Sequence, residues 1–266
     1  MKKALTLSIV IPVFNESLHL NNCLKAINKQ TMAPKEVVVV DNNSTDNTRS
    51  VTNKYKFVKL IHESRQGVVF ARDAGFNATS TDIICRIDAD TILPKNWVEA
   101  ILNFYSKSER KNYAWTCQGR PYNIKHSKTY AWLSAQVIFR LDGRLLGHYP
   151  LLGFSSAITQ DQWRKVKNLV CHRNDIHEDL DLSIHLKQLG FKIYYDRSIQ
   201  VGVELKRVFT EYSHLWPYLL LWPRTLRAHK LKNWSLAYIG AVFIYASAPV
   251  LIAENILAIK LTGKVQ

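Results

Sequence analysis

Cysteine is scarce in this chain of 266 residues, and the four present, Cys23, Cys85, Cys117 and Cys171, are widely separated. That spacing argues against a C-x-x-C metal site and against a dense disulfide framework, and it fits a reducing, cytosolic compartment. A cleavable leader is not expected either. "MKKALTLSIVIPVF" has a charged start and an apolar stretch, but no small-residue cleavage site precedes "NES", so it reads as a first buried strand. Acidic residues are in deficit, 21 Asp and Glu against 36 Lys and Arg, which leaves a formal charge of +15. Such an excess attracts phosphate as nucleic acid, nucleotide or anionic membrane surface, without choosing among them. No internal repeat or low-complexity segment is apparent, and the length suits one large α/β domain with an appendage.

What is present begins with βα units. "LTLSIVIPVFNE" is an apolar, β-branched run ended by Pro12, the pattern of a strand covered on both faces. "SLHLNNCLKAINKQ" places Leu18, Leu20, Leu24 and Ile27 at roughly helical intervals, with Ser17 as a plausible N-cap. "KEVVVVDNNSTDNT" is a second buried strand ending in a polar loop, "FVKLIHE" a third, and "DIICRIDADT" a fourth. "STDNTRSVTNKY" and "GVVFARDAGFNATS" supply helices between them. Repeated βα units imply a mostly parallel sheet, whose ligands bind beyond the carboxyl ends of the strands. Asn15, Asp41 and the pair Asp88 and Asp90 all fall at such ends, so three polar clusters are expected on one edge. Further on, "HEDLDLSIHL" spaces its leucines so that Glu178 and Asp179 open a helix, which leads through Gly190 into the strand-like "KIYYD".

Two carboxylates one residue apart, as in "RIDADT", can present hard oxygen ligands to Mg²⁺ or Mn²⁺ bridging a diphosphate. A solvated strand end would look the same. The ordered set "IVIPVFNE", "VVVVDNNSTDNT", "GVVFARDAGFNA" and "RIDADT" resembles the nucleotide-sugar half of the family 2 glycosyltransferases, densely over about the first 100 residues and sparsely to about residue 205. The resemblance implies a GT-A fold, that is, a Rossmann-like α/β domain over residues 1–205. It also implies a nucleotide-sugar donor, UDP-linked by family analogy, and a divalent metal. Pro12, Asn15 and Glu16 match the loop beside the nucleotide, and Asp41 the acid that contacts the base. Arg72 matches an arginine placed near the phosphates; Asp88 and Asp90 match the D-x-D, with Asp90 as the direct metal ligand. "HEDLDLSIHL" resembles the segment whose aspartate, here Asp179, is the general base of an inverting displacement. "GFSSAITQDQW" resembles the acceptor-side segment, which implies that Gly153, Phe154 and Ser155 line the acceptor pocket, and Glu178 beside the expected base is assigned to acceptor binding as well. Bland readings stand beside these: Glu16, Asp46 and Asp179 as helix caps, Arg72 as a partner of a surface acid, and Gly67 and Gly75 as turn and packing glycines. The Q-x-x-R-W motif of processive synthases is absent, which implies a single addition per binding event.

From Lys206 the composition changes, with basic residues interleaved with Trp216, Tyr218, Trp222 and Trp234. Residues 233–253 then carry no Asp, Glu, Lys or Arg. About 20 such residues suffice to cross a bilayer as a helix. Residues 206–266 are therefore expected to form an interfacial segment and a hydrophobic helix that spans the membrane or lies on it, with the catalytic domain facing the cytoplasm. These features point to a membrane-borne glycan or lipid as acceptor, in cell envelope glycan biosynthesis. A polyprenyl-phosphate glycosyltransferase is the alternative, and a nucleic-acid-binding protein is disfavoured because the basic residues adjoin a hydrophobic run instead of forming a binding module.

Overall fold

The structure is a computed structural model that describes residues 4–122, 143, 146–204, 212–232 and 234–262. The expected domain boundary at 205, and Lys206 and Arg207 after it, lie outside the described residues. Four βα units open the chain. They are β1 (Leu7–Val13), α1 (Ser17–Asn28), β2 (Glu36–Asp41), α2 (Thr48–Thr52), β3 (Val58–His62), α3 (Val68–Asn77), β4 (Ile83–Arg86) and α4 (Trp97–Tyr105). A second group follows with β5 (Tyr113–Pro121), β6 (Ser156–Thr159), α5 (Gln160–Val166), α6 (Glu178–Gln188) and β7 (Lys192–Val203). Three C-terminal helices, α7 (Tyr212–Leu219), α8 (Leu221–Ala228) and α9 (Trp234–Thr262), complete the described chain.

The strands form one seven-stranded sheet in the order β3-β2-β1-β4-β6-β5-β7. β1, β2, β3 and β4 are parallel, as are β5 and β7, while β6 runs antiparallel to both its neighbours. The α/β class and the mostly parallel sheet therefore hold, with one reversed strand. β1 continues through Pro12 to Val13 instead of stopping at the proline. Its register with β4 ends at Val10 and Arg86, so Pro12, which has no N–H, lies where β4 has already ended.

Alternation along the buried strands divides the core into two layers. Ile9 and Ile11 of β1, Val37 and Val39 of β2, and Ile83 and Cys85 of β4 pack beneath Leu20, Leu24 and Ile27 of α1 and Trp97 and Ile101 of α4. Val10, Val38, Val40 and Ile84 face the other way, against Ala71 and Phe76 of α3, Trp163 of α5, and Leu182 and Leu186 of α6. Gly75 lets α3 settle on this second face, since a Cβ there would lie 2.3 Å from Val10 Cγ1. Leu18 departs from the expected apolar stripe of α1 and is 82% exposed. It stands in the first turn, before the helix has come down onto the sheet.

Helix α6 also serves a smaller cluster in which Leu180 and Ile184 meet Leu226 of α8 and Ala237 of α9. α9 turns its alanines inward, Ala237, Ala241 and Ala248 being buried, and leaves Leu236, Ile239, Val242 and Phe243 exposed. Those four lie at helical spacing on the opposite side. Side chains along α9 are described no further than Ala253. Among the described residues no helix is long and apolar enough to cross a membrane.

Candidate active site

The carboxyl ends of β1, β2 and β4 lie side by side because β1 pairs with both of the others. Asn15, Asp41 and the Asp88/Asp90 turn follow those ends, so the three polar clusters do share one edge, with Pro12 just behind them in β1. Asn15 has φ 55°, a left-handed conformation that asparagine tolerates. Its Oδ1 accepts from the N–H of Thr45 at 2.8 Å, which joins the loop after β1 to the loop after β2. Asp46 makes the return link by accepting from the N–H of Ser17 at 3.1 Å. Glu16 occupies the N-cap position of α1 without a side-chain capping bond, so the cap comes from Asp46 across the loop. Asp41 is buried and accepts from Arg49 Nε at 2.6 Å and from the N–H of Ser44 at 3.1 Å. Burial pushes its carboxyl up, but the bonds from Ser44 and Arg49 outweigh that and hold it below the usual value.

Asp88 and Asp90 stand in the turn that ends β4. Asp90 is pushed up to about 7, first by burial and then by repulsion from Asp88, Glu16 and Glu204. Carboxylates crowded into a half-buried corner form a site of strong negative potential. Their donor atoms are all hard oxygens, which suits Mg²⁺ or Mn²⁺ and fits the expected D-x-D role.

Arg86, the last residue of β4, organises the centre. Its Nη2 donates to Asp88 Oδ1 at 2.9 Å, its Nη1 donates to Glu178 Oε1 at 3.0 Å, and the same nitrogen contacts Asp179 Oδ1. One buried guanidinium thus joins the D-x-D turn to the first two residues of α6. Burial raises the Asp179 carboxyl above the usual range and Glu178 adds to this, although Arg86 opposes both. Glu178 shifts the other way. The opposing Arg86 charge overcomes its burial and holds it low. The two adjacent acids are therefore set apart, with Asp179 the more readily protonated, as proton transfer requires.

The remaining expected residues divide into those that face the centre and those that support it. Gly153 abuts it, since a Cβ there would lie 2.4 Å from Asp179 Oδ2 and 2.6 Å from Arg86 Cζ. Phe154 is half-buried beside Gly119, and its carbonyl accepts from Thr91 Oγ1 at 3.2 Å. Ser155 does not line a pocket. It is fully buried, its hydroxyl accepts from Trp97 Nε1 at 3.0 Å, and its carbonyl accepts from Thr116 Oγ1 at 2.9 Å. Glu178 is directed to Arg86 and not to an open acceptor surface. Arg72 is likewise enclosed, with Nε on Asp73 Oδ1 at 2.9 Å and Nη1 on the Glu178 carbonyl at 3.0 Å. From there it steadies the start of α6.

Two residues of this centre went unassigned in the sequence. Arg86 had one legible signal, a cation closing an otherwise apolar strand just before a D-x-D. His177, the N-cap residue of α6, donates its N–H to Thr225 Oγ1 at 2.7 Å, and its Nε2 lies 3.2 Å from the Tyr218 hydroxyl. It connects the E-D segment to α7 and α8, a contact visible only in the fold.

Comparison with known proteins agrees with this geometry. AglE of Haloferax volcanii, a glycosyltransferase, is 35% identical over 100 residues, which are 35% of this chain and 33% of that one. GlyG of Streptococcus pneumoniae, also a glycosyltransferase, is 29% identical over 126 residues, 46% of this chain and 40% of that one. The chain thus matches well under half the length of these curated relatives. Among solved structures, the mannosyltransferase PcManGT from Pyrobaculum calidifontis, in complex with GDP-Man and Mn²⁺, superposes with a TM-score of 0.67 at 17% identity, over 99% of this chain and 77% of that one. TarS 1-349 of S. aureus with UDP-GlcNAc gives 0.60 at 16% identity, over 91% and 81%. Both likenesses establish the GT-A type of α/β fold. Residues 8–166 match the Glycosyl transferase family 2 profile, more than half of the chain, and the chain belongs to that family.

Proposed function

We propose that this protein is an inverting glycosyltransferase that moves a sugar from a nucleotide-sugar donor to a hydroxyl of a membrane-borne glycan or lipid. One observation carries the reading: Arg86 holds Asp179, at the mouth of α6, against Asp88 of the D-x-D turn. An acceptor hydroxyl beside Asp179 loses its proton to that carboxylate as its oxygen attacks the anomeric carbon from the face opposite the nucleotide. Glu178 stays ionised and Arg86 holds both acids in place, so the base is oriented before substrate arrives. Asp90 and Asp88 would hold the divalent metal, which when bound neutralises charge growing on the departing diphosphate. Asn15 and Asp41 flank the place where the nucleoside would lie.

The donor is tested by calorimetry against UDP, GDP, CDP and dTDP with and without Mn²⁺. One nucleotide is expected to bind with metal-dependent affinity, weakened by more than about 10-fold in Asp90→Ala. Full metal-dependent affinity in that variant would remove the D-x-D from the metal site. Gly153→Ala examines the acceptor side. An added methyl must displace Asp179 or Arg86, and a shift of that size costs on the order of 10²-fold in kcat. Donor affinity should not change, and an unaltered kcat would show that Gly153 does not set the position of the base.

Attachment to an anionic cytoplasmic membrane surface is part of this reading. It rests on the exposed Leu236, Ile239, Val242 and Phe243 of α9 and on Arg224, Arg227, Lys230 and Lys232, all exposed nearby. Apolar side chains entering the headgroup region and cations meeting acidic lipid characterise an interfacial helix. The full chain is expected to float with phosphatidylglycerol vesicles, and Ile239→Asp/Phe243→Asp to stay at the bottom of the gradient. Equal flotation of both proteins would exclude this face.

A further inference from the structure

Outside the catalytic centre, four residues of three different chain segments turn their donor atoms toward one point. Asp181 and His185 stand one turn apart on α6, Cys171 lies in the loop after α5, and His229 caps the C-terminus of α8. Their ligand atoms all lie within 4.8 Å of one another. Asp181 is wholly buried, with Oδ1 at 2.9 Å from His229 Nε2 and 3.4 Å from His185 Nε2. We propose that Cys171, Asp181, His185 and His229 form a zinc site that ties the C-terminal helices to α6.

The polar accounting around His185 carries the assignment. Its Nδ1 lies 3.1 Å from Gln188 Oε1, where an Nδ1–H would donate and leave Nε2 free to ligate. The buried Nε2 makes no hydrogen bond and lies 3.4 Å from Asp181 Oδ1, an ion pair when the ring is protonated and a ligand position when it is not. A metal cation in place of that proton would bond both the imidazole nitrogen and the carboxylate oxygen. Fixing a ligand histidine through its other ring nitrogen is the usual arrangement at metal sites. Asp181 is fixed similarly, its Oδ2 accepting from the Cys171 N–H at 2.9 Å.

The donor set selects the ion. Two imidazoles, a thiolate and a carboxylate suit tetrahedral zinc, whose bonds of about 2.0 to 2.3 Å place ligand atoms about 3.3 to 3.8 Å apart. The oxygens of the D-x-D turn suit harder ions. One thiolate and one carboxylate also balance a divalent cation, so the loaded site is neutral where it enters the protein interior. Asp181 is two residues beyond Asp179, so the ion would brace the helix that bears the base.

The test uses the full chain expressed with zinc in the medium, gel-filtered, and assayed for metal by mass spectrometry. One zinc per chain is expected in the wild type and in Asp88→Ala/Asp90→Ala, which isolates this site from the donor metal. Cys171→Ser and His229→Gln are expected to bind at least about 10-fold more weakly and to lose the ion on the column. Cobalt titration of chelator-treated wild type needs no variant to fold. It should give the thiolate-to-cobalt charge-transfer band and the intense visible bands of a tetrahedral complex, displaced by zinc. Wild type emerging without zinc and showing no thiolate–cobalt band would overturn the site, as would folded Cys171→Ser and His229→Gln retaining zinc like the wild type. Four groups joined by hydrogen bonds alone would then be the correct description.

Discussion

Asp179→Asn is expected to lower kcat by about 10² to 10⁴ while leaving donor affinity near that of the wild type. Asparagine keeps the shape of the side chain and its place beside Arg86, but it cannot take the proton of a sugar hydroxyl. In the wild type, activity should fall as pH drops through the Asp179 pKa, because only the ionised carboxylate is a base. Burial and the neighbouring Glu178 move that fall toward neutrality, while Arg86 and His177 oppose it. The acid limb should disappear from the residual activity of the variant. The acceptor decides what the result means. A polyprenyl phosphate offers an oxygen already ionised near neutral pH and needs no base, so near-normal turnover of Asp179→Asn onto such a phosphate would replace hydroxyl transfer with the alternative chemistry.

Arg86→Met is expected to destabilise the fold by about 3 to 5 kcal/mol, because it leaves the carboxylates of Glu178 and Asp179 buried without their counter-charge. For a chain of this size that is a drop on the order of 10 °C in melting temperature. Arg65→Ala provides the contrast. Arg65 also meets a carboxylate through two nitrogens, Nε and Nη2 each lying 2.9 Å from an oxygen of Glu63, but its side chain is 62% exposed. Water screens that pair, and its loss should leave the melting temperature close to that of the wild type. Calorimetric melts of the two variants compare a buried cation with an exposed one. Equal shifts would mean that Arg86 contributes packing and not charge compensation.

The parts of the molecule legible in the sequence are those set by neighbours in the chain. Val37 to Val40 announce a buried strand by composition alone, the D-x-D shows where β4 ends, and the leucines after Asp179 locate α6. What was not legible depends on contacts distant in sequence. Arg86 finds Glu178 and Asp179 92 and 93 residues away, and nothing near Arg86 specifies them. Ser155 sits in a turn of small residues that resembles a pocket rim, and only the packing of Trp97 and Thr116 around it shows that it is interior. The reversal of β6 is equally silent, since an antiparallel strand buried among parallel ones has the same apolar composition. β7 runs well past "KIYYD" to Val203, and the alternation of Ile199, Val201 and Val203 with Ser198, Gln200 and Gly202 is the local signal that carries this continuation.

The position of β6 also bears on the order in which the chain is made. β1 to β4 can pair as soon as they are synthesised, β2 and β3 adding on one side of β1 and β4 crossing back to its other side. β4, however, lies at the margin of that early sheet until Ser156–Thr159 arrives to cover it. During that interval the unpaired backbone N–H and C=O groups of Ile83 to Cys85, carrying apolar side chains, are an open template for other chains, and Arg86 lacks its acids. The nascent protein therefore passes through a stage at which its most aggregation-prone edge and the cation that will hold the acids are exposed together, and one later segment of about 24 residues, from β6 to the start of α6, closes both.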